Sequence, residues 1–550
     1  MKSFSSLEIL LQSLKQTSNL YINTNRQENS WRFLLTLWKL SAIMSYTFVQ
    51  ILSKGVILMR SSGVLMHISS LPGEYGIGKM GKEAYAFVDW LKLAGQHYWQ
   101  ILPLSPTSYG DSPYQSFSIF AGNPYFIDLE TLEKDGLLKA SEYKNIEWIR
   151  ETEYVDYSII YENLWGVLKI AYSRFKPDKD YDDFVKENKS WVENYGLFMA
   201  LKEENDGKAW YEWSWDLVKC RKFAVDDAKN RLSDEIGFYV FLQYEFYKQW
   251  NALKEYANKN GIEIIGDIPI YCALDSVDVW TEPELFDLDE DKQPVNVAGC
   301  PPDGYAPQGQ LWGNPIYDWE AMKKQNFKWW INRIGFASKI YDVVRIDHFR
   351  GFDSFYSIPA KDETAENGVW EKGCGIELFR AVKKALGDVR IIAEDLGFIT
   401  ESVRELLADS GFPGMKMLEF GFAPDAKSEY LPCNFKSSNC VVYTSTHDSD
   451  TVLGWYQICA DDVKEYICDY IGAKGEEDVS WKLIRCAWLS VADTAITQMQ
   501  EILELDNMAR MNVPSTCGLN WRWRMKKDAN TEELAKKLLK ITQLSGRVCE

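Results

Sequence analysis

The 550-residue sequence predicts an α/β protein, a (β/α)8 TIM barrel carrying large, mostly helical and loop-rich insertions. Short apolar runs recur along the chain, each followed by polar residues and then by a helical pattern. The runs are near-continuous rather than alternating, as strands covered on both faces require. Eight can be counted. None is followed by a G-x-G-x-x-G or P-loop motif, which argues against an open doubly wound sheet.

In order the runs are GVLMHI (63–68), YWQILPL (98–104), IEIIGDIPI (262–270), DVVRIDHF (342–349), RIIAEDL (390–396), GMKMLEF (414–420), CVVYTSTHD (440–448) and ARMNVP (509–514). The stretch from about 105 to 260 is too long for one crossover helix, and its charged, Trp-rich text predicts an inserted helical subdomain. A second insertion, about 275–330, is rich in Pro, Gly and Asp and predicts loops. Residues 59–550 are therefore expected to form one catalytic barrel with two insertions.

The first 58 residues differ from the rest. They carry six Lys/Arg and two Glu in a chain whose net charge is −19. The stretch FLLTLWKLSAIMSYTFVQIL (33–52) has the length of a membrane span, but Lys39 lies inside it and no A-x-A cleavage site follows. Lys54–Val56 can be encoded AAA-GGA-GTN, which contains a bacterial ribosome-binding sequence a short spacer before Met59. The expectation is that Met59 is the native start and that residues 1–58 translate upstream DNA, in preference to a dispensable extension or a membrane anchor.

Composition narrows the function. No Lys/Arg cluster could form a phosphate-binding groove, so nucleic acid is not an expected partner. Eleven cysteines, none in a C-x-x-C pair, read as thiols of a reducing cytoplasm. The 22 Trp and 30 Tyr suit sugar rings and serve equally well as core filler.

Barrel enzymes carry their chemistry at the C-terminal ends of the strands. In VVRIDHF, the period of two places Arg345 and Asp347 on one face. An arginine beside an aspartate keeps a nucleophilic carboxylate ionised, and it also describes a plain barrel-mouth salt bridge. RIIAEDL supplies Glu394 and Asp395, which alternation sends to opposite faces, and TSTHDSD supplies His447, Asp448 and Asp450. Of only four histidines, His348 and His447 both adjoin strand-end aspartates. Substrate hydroxyl binding accounts for that better than a metal, because the residues lack ligand spacing. No metal or other cofactor is expected. Acids converging among aromatics suggest glycoside chemistry, in which one carboxyl is ionised and another holds a proton.

At these motifs the chain resembles the 4-α-glucanotransferases called amylomaltase or disproportionating enzyme, a branch of the α-amylase clan. VRIDHFRGF, IIAEDLG, THD, GDSPYQSFS, PPDGY…GQLWGNPIYDW and ARMNVP…NWRWR carry the resemblance, in order, from about Met59 to about Arg547. The resemblance implies transfer of an α-1,4-glucan segment to a 4-hydroxyl of another glucan. It implies Asp347 as nucleophile, Glu394 as acid/base and Asp448 as the third acid, which grips sugar hydroxyls. Arg345, His348 and His447 are similar to the shell around Asp347. Ser112 and Tyr114 resemble donor-sugar contacts, with a Gly-Asp turn as the alternative. Asp267 resembles a contact of the same subsite or a structural barrel residue. Asp303, Gln310 and Trp312 match a loop that covers the cleft in the family, where Trp312 is either a sugar contact or a loop anchor. Asn512 matches a residue of the cleft or of its backbone. The partners so implied are α-1,4-glucans and maltooligosaccharides. The chain departs from the family at GYAPQGQ, at Ser445 and Leu519 (commonly Gly) and at Ser449 (usually Asn), without losing a carboxylate.

Overall fold

The computed structural model describes residues 60–548 apart from 304–305 and 424–425, so the expectation for residues 1–58 lies outside the described residues. Eight parallel strands close into a barrel: β1 (Ser61–Leu65), β2 (Tyr98–Gln100), β3 (Glu263–Ile268), β6 (Val343–Ile346), β9 (Ile391–Ala393), β10 (Gly414–Met417), β11 (Cys440–Tyr443) and β12 (Thr494–Gln498). They follow one another in chain order, and β12 pairs with β1 from Ser61↔Thr494 to Leu65↔Gln498. Strands β1, β2, β6, β9 and β11 are buried along their whole length, which is why they read as unbroken apolar runs.

Seven of the eight expected runs are barrel strands. The eighth is not ARMNVP, which lies in a loop, but TAITQ at Thr494–Gln498. Its two threonines hide it from a search for apolar runs, yet their hydroxyls are paired inside the barrel. Thr497 Oγ1 is 2.9 Å from Thr444 Oγ1, and Thr494 Oγ1 is 3.3 Å from Ser61 Oγ. A β-branched residue whose hydroxyl has a partner suits a buried strand.

Between β2 and β3 the chain is helical, including α1 (Tyr157–Arg174), α2 (Val192–Glu204) and the 27-residue α3 (Ser233–Lys259). α3 buries Phe238, Phe241, Phe246 and Trp250 and packs against β3 and α2. The connections after β3 and β6 contribute β4 (Asn296–Cys300), β5 (Gln310–Pro315), β7 (Ser354–Pro359) and β8 (Val369–Lys372). These form a separate antiparallel sheet in the order β5-β4-β7-β8. Among the described residues, no helix is long and apolar enough to cross a membrane.

The seam between the first and last strands is held by Arg547, which is fully buried. Its guanidinium donates to the carbonyls of Ser61 (2.8 Å), Trp488 (2.8 Å) and Ala492 (2.8 Å), tying the C-terminal segment to β1. Arg547→Ala would strand those acceptors. Hydrogen bonds to a charged donor contribute about 1.5–3 kcal/mol each, so the unfolding free energy should fall by about 3 kcal/mol or more in urea titration.

Candidate active site

The C-terminal ends of β3, β6, β9 and β11 converge, and each delivers an acid. Asp267 lies within β3, Asp347 directly follows β6, Glu394 directly follows β9, and Asp448 lies on the loop after β11. Because β3, β6 and β9 are adjacent, their pairing sets the geometry. Asp267 is in register with Arg345, and Arg345 with Ile392.

Arg345 is buried between two of these acids. Its Nη1 contacts Asp267 Oδ2 and lies 3.0 Å from Asp347 Oδ1. Burial pushes the Asp347 carboxyl up, to about 6, while the Arg345 charge opposes the rise and the Asp267 and Asp448 charges add to it. The group is therefore ionised at neutral pH.

Glu394 sits differently. It is buried, with Oε2 accepting the His348 N–H at 2.7 Å and Oε1 accepting the Leu396 N–H at 2.8 Å. Burial first, and then the charge of Asp347, push its carboxyl up to about 8, so it holds a proton at neutral pH. His348 adopts a left-handed conformation (φ 50°), which turns the chain just after Asp347 and aims that N–H at Glu394. Its neighbour Asp395 faces the other side, where Oδ1 accepts the Met415 N–H at 2.6 Å and joins β9 to β10. Adjacent acids at one strand end thus have separate surroundings.

A second network approaches from β11. His447 Nε2 lies 3.1 Å from Asp448 Oδ2 and 2.9 Å from the Tyr114 hydroxyl, which donates to Asp267 Oδ2 at 2.9 Å. With the Tyr114 proton engaged there, Nε2 of His447 must carry its own hydrogen. Asn512 Nδ2 donates to Asp448 Oδ1 at 2.7 Å. Burial opposes ionisation of Asp448, but His447 and the Asn512 amide outweigh it and hold the carboxyl well below the ordinary range.

The remaining expected residues occupy the rim. Ser112 Oγ accepts the Tyr114 N–H at 3.2 Å and so shapes the turn that presents Tyr114. Trp312 on β5 meets the His348 ring edge-on at 4.8 Å between centroids, and its Nε1 donates to Gln310 Oε1 at 3.0 Å. Asp303 accepts the Ala306 N–H at 2.7 Å, a loop contact. Tyr114, Asp267, Arg345, His348, His447 and Asn512 connect to one another or directly to Asp347, Glu394 and Asp448.

Three further residues belong to the site and were not singled out by sequence. Arg510 donates to Asp450 Oδ1 (2.6 Å), to the Asp448 carbonyl (2.8 Å) and to the Asn512 carbonyl (2.8 Å). Its position two residues before Asn512 in ARMNVP was the available signal. Gln115, beside Tyr114, donates to Asn314 Oδ1 at 3.0 Å and ties the loop after β2 to β5. Cys300 ends β4 close enough for Glu394 and Asp303 to add to the effect of burial, pushing its thiol up to about 12. Counting thiols by compartment gave no sign of it. Among the described residues, no group of His, Cys, Asp and Glu is arranged to hold a metal ion.

An ionised acid braced by arginine, next to an acid that keeps its proton, is the arrangement used by enzymes that break glycosidic bonds with a pair of carboxyls. The profile described as 4-alpha-glucanotransferase matches residues 66–530. A 4-alpha-glucanotransferase of Clostridium butyricum is 48% identical over 489 residues, covering 88% of this chain and all of the relative. That of Streptococcus pneumoniae serotype 4 is 50% identical over 496 residues, covering 89% and 98%. The solved amylomaltase of Streptococcus agalactiae in complex with acarbose superposes with a TM-score of 0.87 at 45% identity, covering 89% of this chain and 100% of that one. The chain belongs to the 4-alpha-glucanotransferase family.

Tyr114 is the joint between the two networks. Tyr114→Phe removes a donor from Asp267, whose Oδ1 already has no hydrogen-bond partner. The expected result is a loss of about 1–3 kcal/mol in urea unfolding together with a turnover lowered by about tenfold.

Proposed function

We propose that this chain transfers segments of α-1,4-glucans to the 4-hydroxyl of an acceptor glucan or glucose by a retaining double displacement. The observation that carries the reading is the opposite protonation of two neighbours. Asp347 is braced by Arg345, and Glu394 keeps its proton under burial and the charge of Asp347. In the first step Asp347 attacks the anomeric carbon, the glycosidic C–O bond breaks, and the Glu394 proton passes to the leaving oxygen. In the second the acceptor hydroxyl gives its proton to the Glu394 carboxylate, its oxygen bonds to the anomeric carbon, and Asp347 is released. Asp448, fixed by His447 and Asn512, grips hydroxyls of the sugar being transferred and supports its distorted ring. His348 carries a buried Nε2 without a partner, suited to a sugar hydroxyl.

Transfer differs from hydrolysis only in what attacks the covalent intermediate, and exclusion of water favours a sugar acceptor. The paired strands β4 and β5 place Cys300 and Trp312 against the site, which supports the reading that this hairpin covers the cleft. The helices between β2 and β3 and the β5-β4-β7-β8 sheet are read as insertions framing it. Ten cysteines among the described residues are free thiols, in keeping with a cytoplasmic enzyme.

Incubation with maltotriose should yield glucose together with chains longer than the substrate, resolved by chain length. Reducing ends without longer products would indicate hydrolysis instead. Glu394→Gln should lower the rate by about 10²-fold or more, since general acid catalysis contributes about 10²–10⁴-fold, and wild-type turnover would refute its assignment.

The two carboxyls also fix a pH profile. Asp347 must be ionised, so activity should fall below about 6 as it takes up a proton. Glu394 must be protonated, so activity should fall above about 8 as it loses one. A plot of kcat/KM against pH should be bell-shaped, and Glu394→Gln should remove its alkaline limb.

A further inference from the structure

The loop that carries His447 and Asp448 is fastened at both ends by one acid outside the expected site. Glu501 is fully buried on the short helix Met499–Ile502 that follows β12. Its Oε1 accepts the Ser445 hydroxyl, two residues before His447. Its Oε2 accepts the Val452 N–H at 2.9 Å, four residues after Asp448. Gln498 completes the joint, donating through Nε2 to Ser445 Oγ at 2.7 Å and to Glu501 Oε1 at 3.3 Å. A buried carboxylate costs much solvation free energy unless donors surround it, and here three converge on it.

We propose that Glu501 is a positioning residue of the transfer reaction, one that closes the 445–452 loop from beneath and thereby sets where Asp448 meets the sugar. The inference rests on the reading of Asp448 given above. Between its two anchors the loop turns back on itself. The Thr446 N–H donates to Ser449 Oγ at 3.0 Å, and the Ser449 N–H to the Thr446 carbonyl at 3.1 Å. The loop top is tied by Asn512 and Arg510, but both of those reach it from the loop after the short turn Asn507–Ala509 rather than from a barrel strand. Glu501, one turn beyond a barrel strand, refers the loop to the wall itself.

A second buried acid lies beside the same loop on its other flank. Glu419 follows β10, the neighbour of β11 opposite β12, and its Oε1 has no partner. Burial, and then the charge of Glu501, push its carboxyl well above the ordinary range. Burial also pushes the Glu501 carboxyl up, to about 7, and the hydrogen bonds from Ser445, the Val452 N–H and Gln498 oppose the rise. The clamp is a side-chain contact at both Ser445 and Glu501.

The test is a double-mutant cycle on maltotriose disproportionation, with kcat and KM measured on folded protein. In Glu501→Gln the amide must turn an N–H toward either Val452 or Gln498. The expected effect is a kcat lowered by about tenfold with KM changed less than about twofold, the size of losing one charged hydrogen bond. In an Asp448→Asn background the same substitution should cost less than about twofold, because its route to the reaction is already gone. An equal loss in both backgrounds, or an unchanged kcat, overturns the proposal. If Glu501→Gln does not fold, Ser445→Ala, which removes one anchor and keeps the acid, decides by the same cycle. Asp448→Asn turning over at the wild-type rate would instead refute the role of Asp448, and the positioning role with it.

Discussion

The Arg345 guanidinium sits between Asp267 and Asp347, and the arrangement of acids at the barrel mouth depends on it. Four carboxyls gathered at one end of a chain of net charge −19 would repel one another and take up protons. Placing one fixed positive charge among them divides their behaviour. Asp347 stays ionised despite burial, because Arg345 opposes the shift. Glu394, farther from that charge in effect and next to the ionised Asp347, keeps its proton. Arginine rather than lysine suits the position, since its guanidinium stays charged when buried.

Parallel strand pairing makes that division possible. Neighbouring strands β3, β6 and β9 bring Asp267, Arg345 and Ile392 into lateral register, so the next residues along, Asp347 and Glu394, project from the same rim. The backbone then finishes the work. The N–H groups of His348 and Leu396 hold both oxygens of Glu394 and fix its carboxyl without adding charge. On the opposite side, Tyr114 joins Asp267 to His447 and His447 joins Asp448, so the two halves of the site share one hydrogen-bonded chain.

Much of this was legible in the sequence because it is local. Arg345 and Asp347 are two residues apart at one strand end, where a period of two puts them on one face, and His447 and Asp448 are neighbours in the chain. The strand TAITQ was missed because its threonines look polar until their hydroxyls are seen to pair with Thr444 and Ser61. Arg510 and Glu501 were missed for a related reason. Each acts on the His447–Asp448 loop from more than 40 residues away, through contacts that no local spacing encodes.

The sequence by itself determined the parallel barrel, its strand-end acids and, through six ordered motifs, the family resemblance. Those features depend on the period of a strand and on residue type, which are properties of short stretches. Only the tertiary structure decided which acid keeps its proton and which loses it. Protonation is set by burial and by the charges of residues brought from other strands, so Glu394 and Asp395, side by side in the chain, acquire their different surroundings only when β6 and β10 close around them.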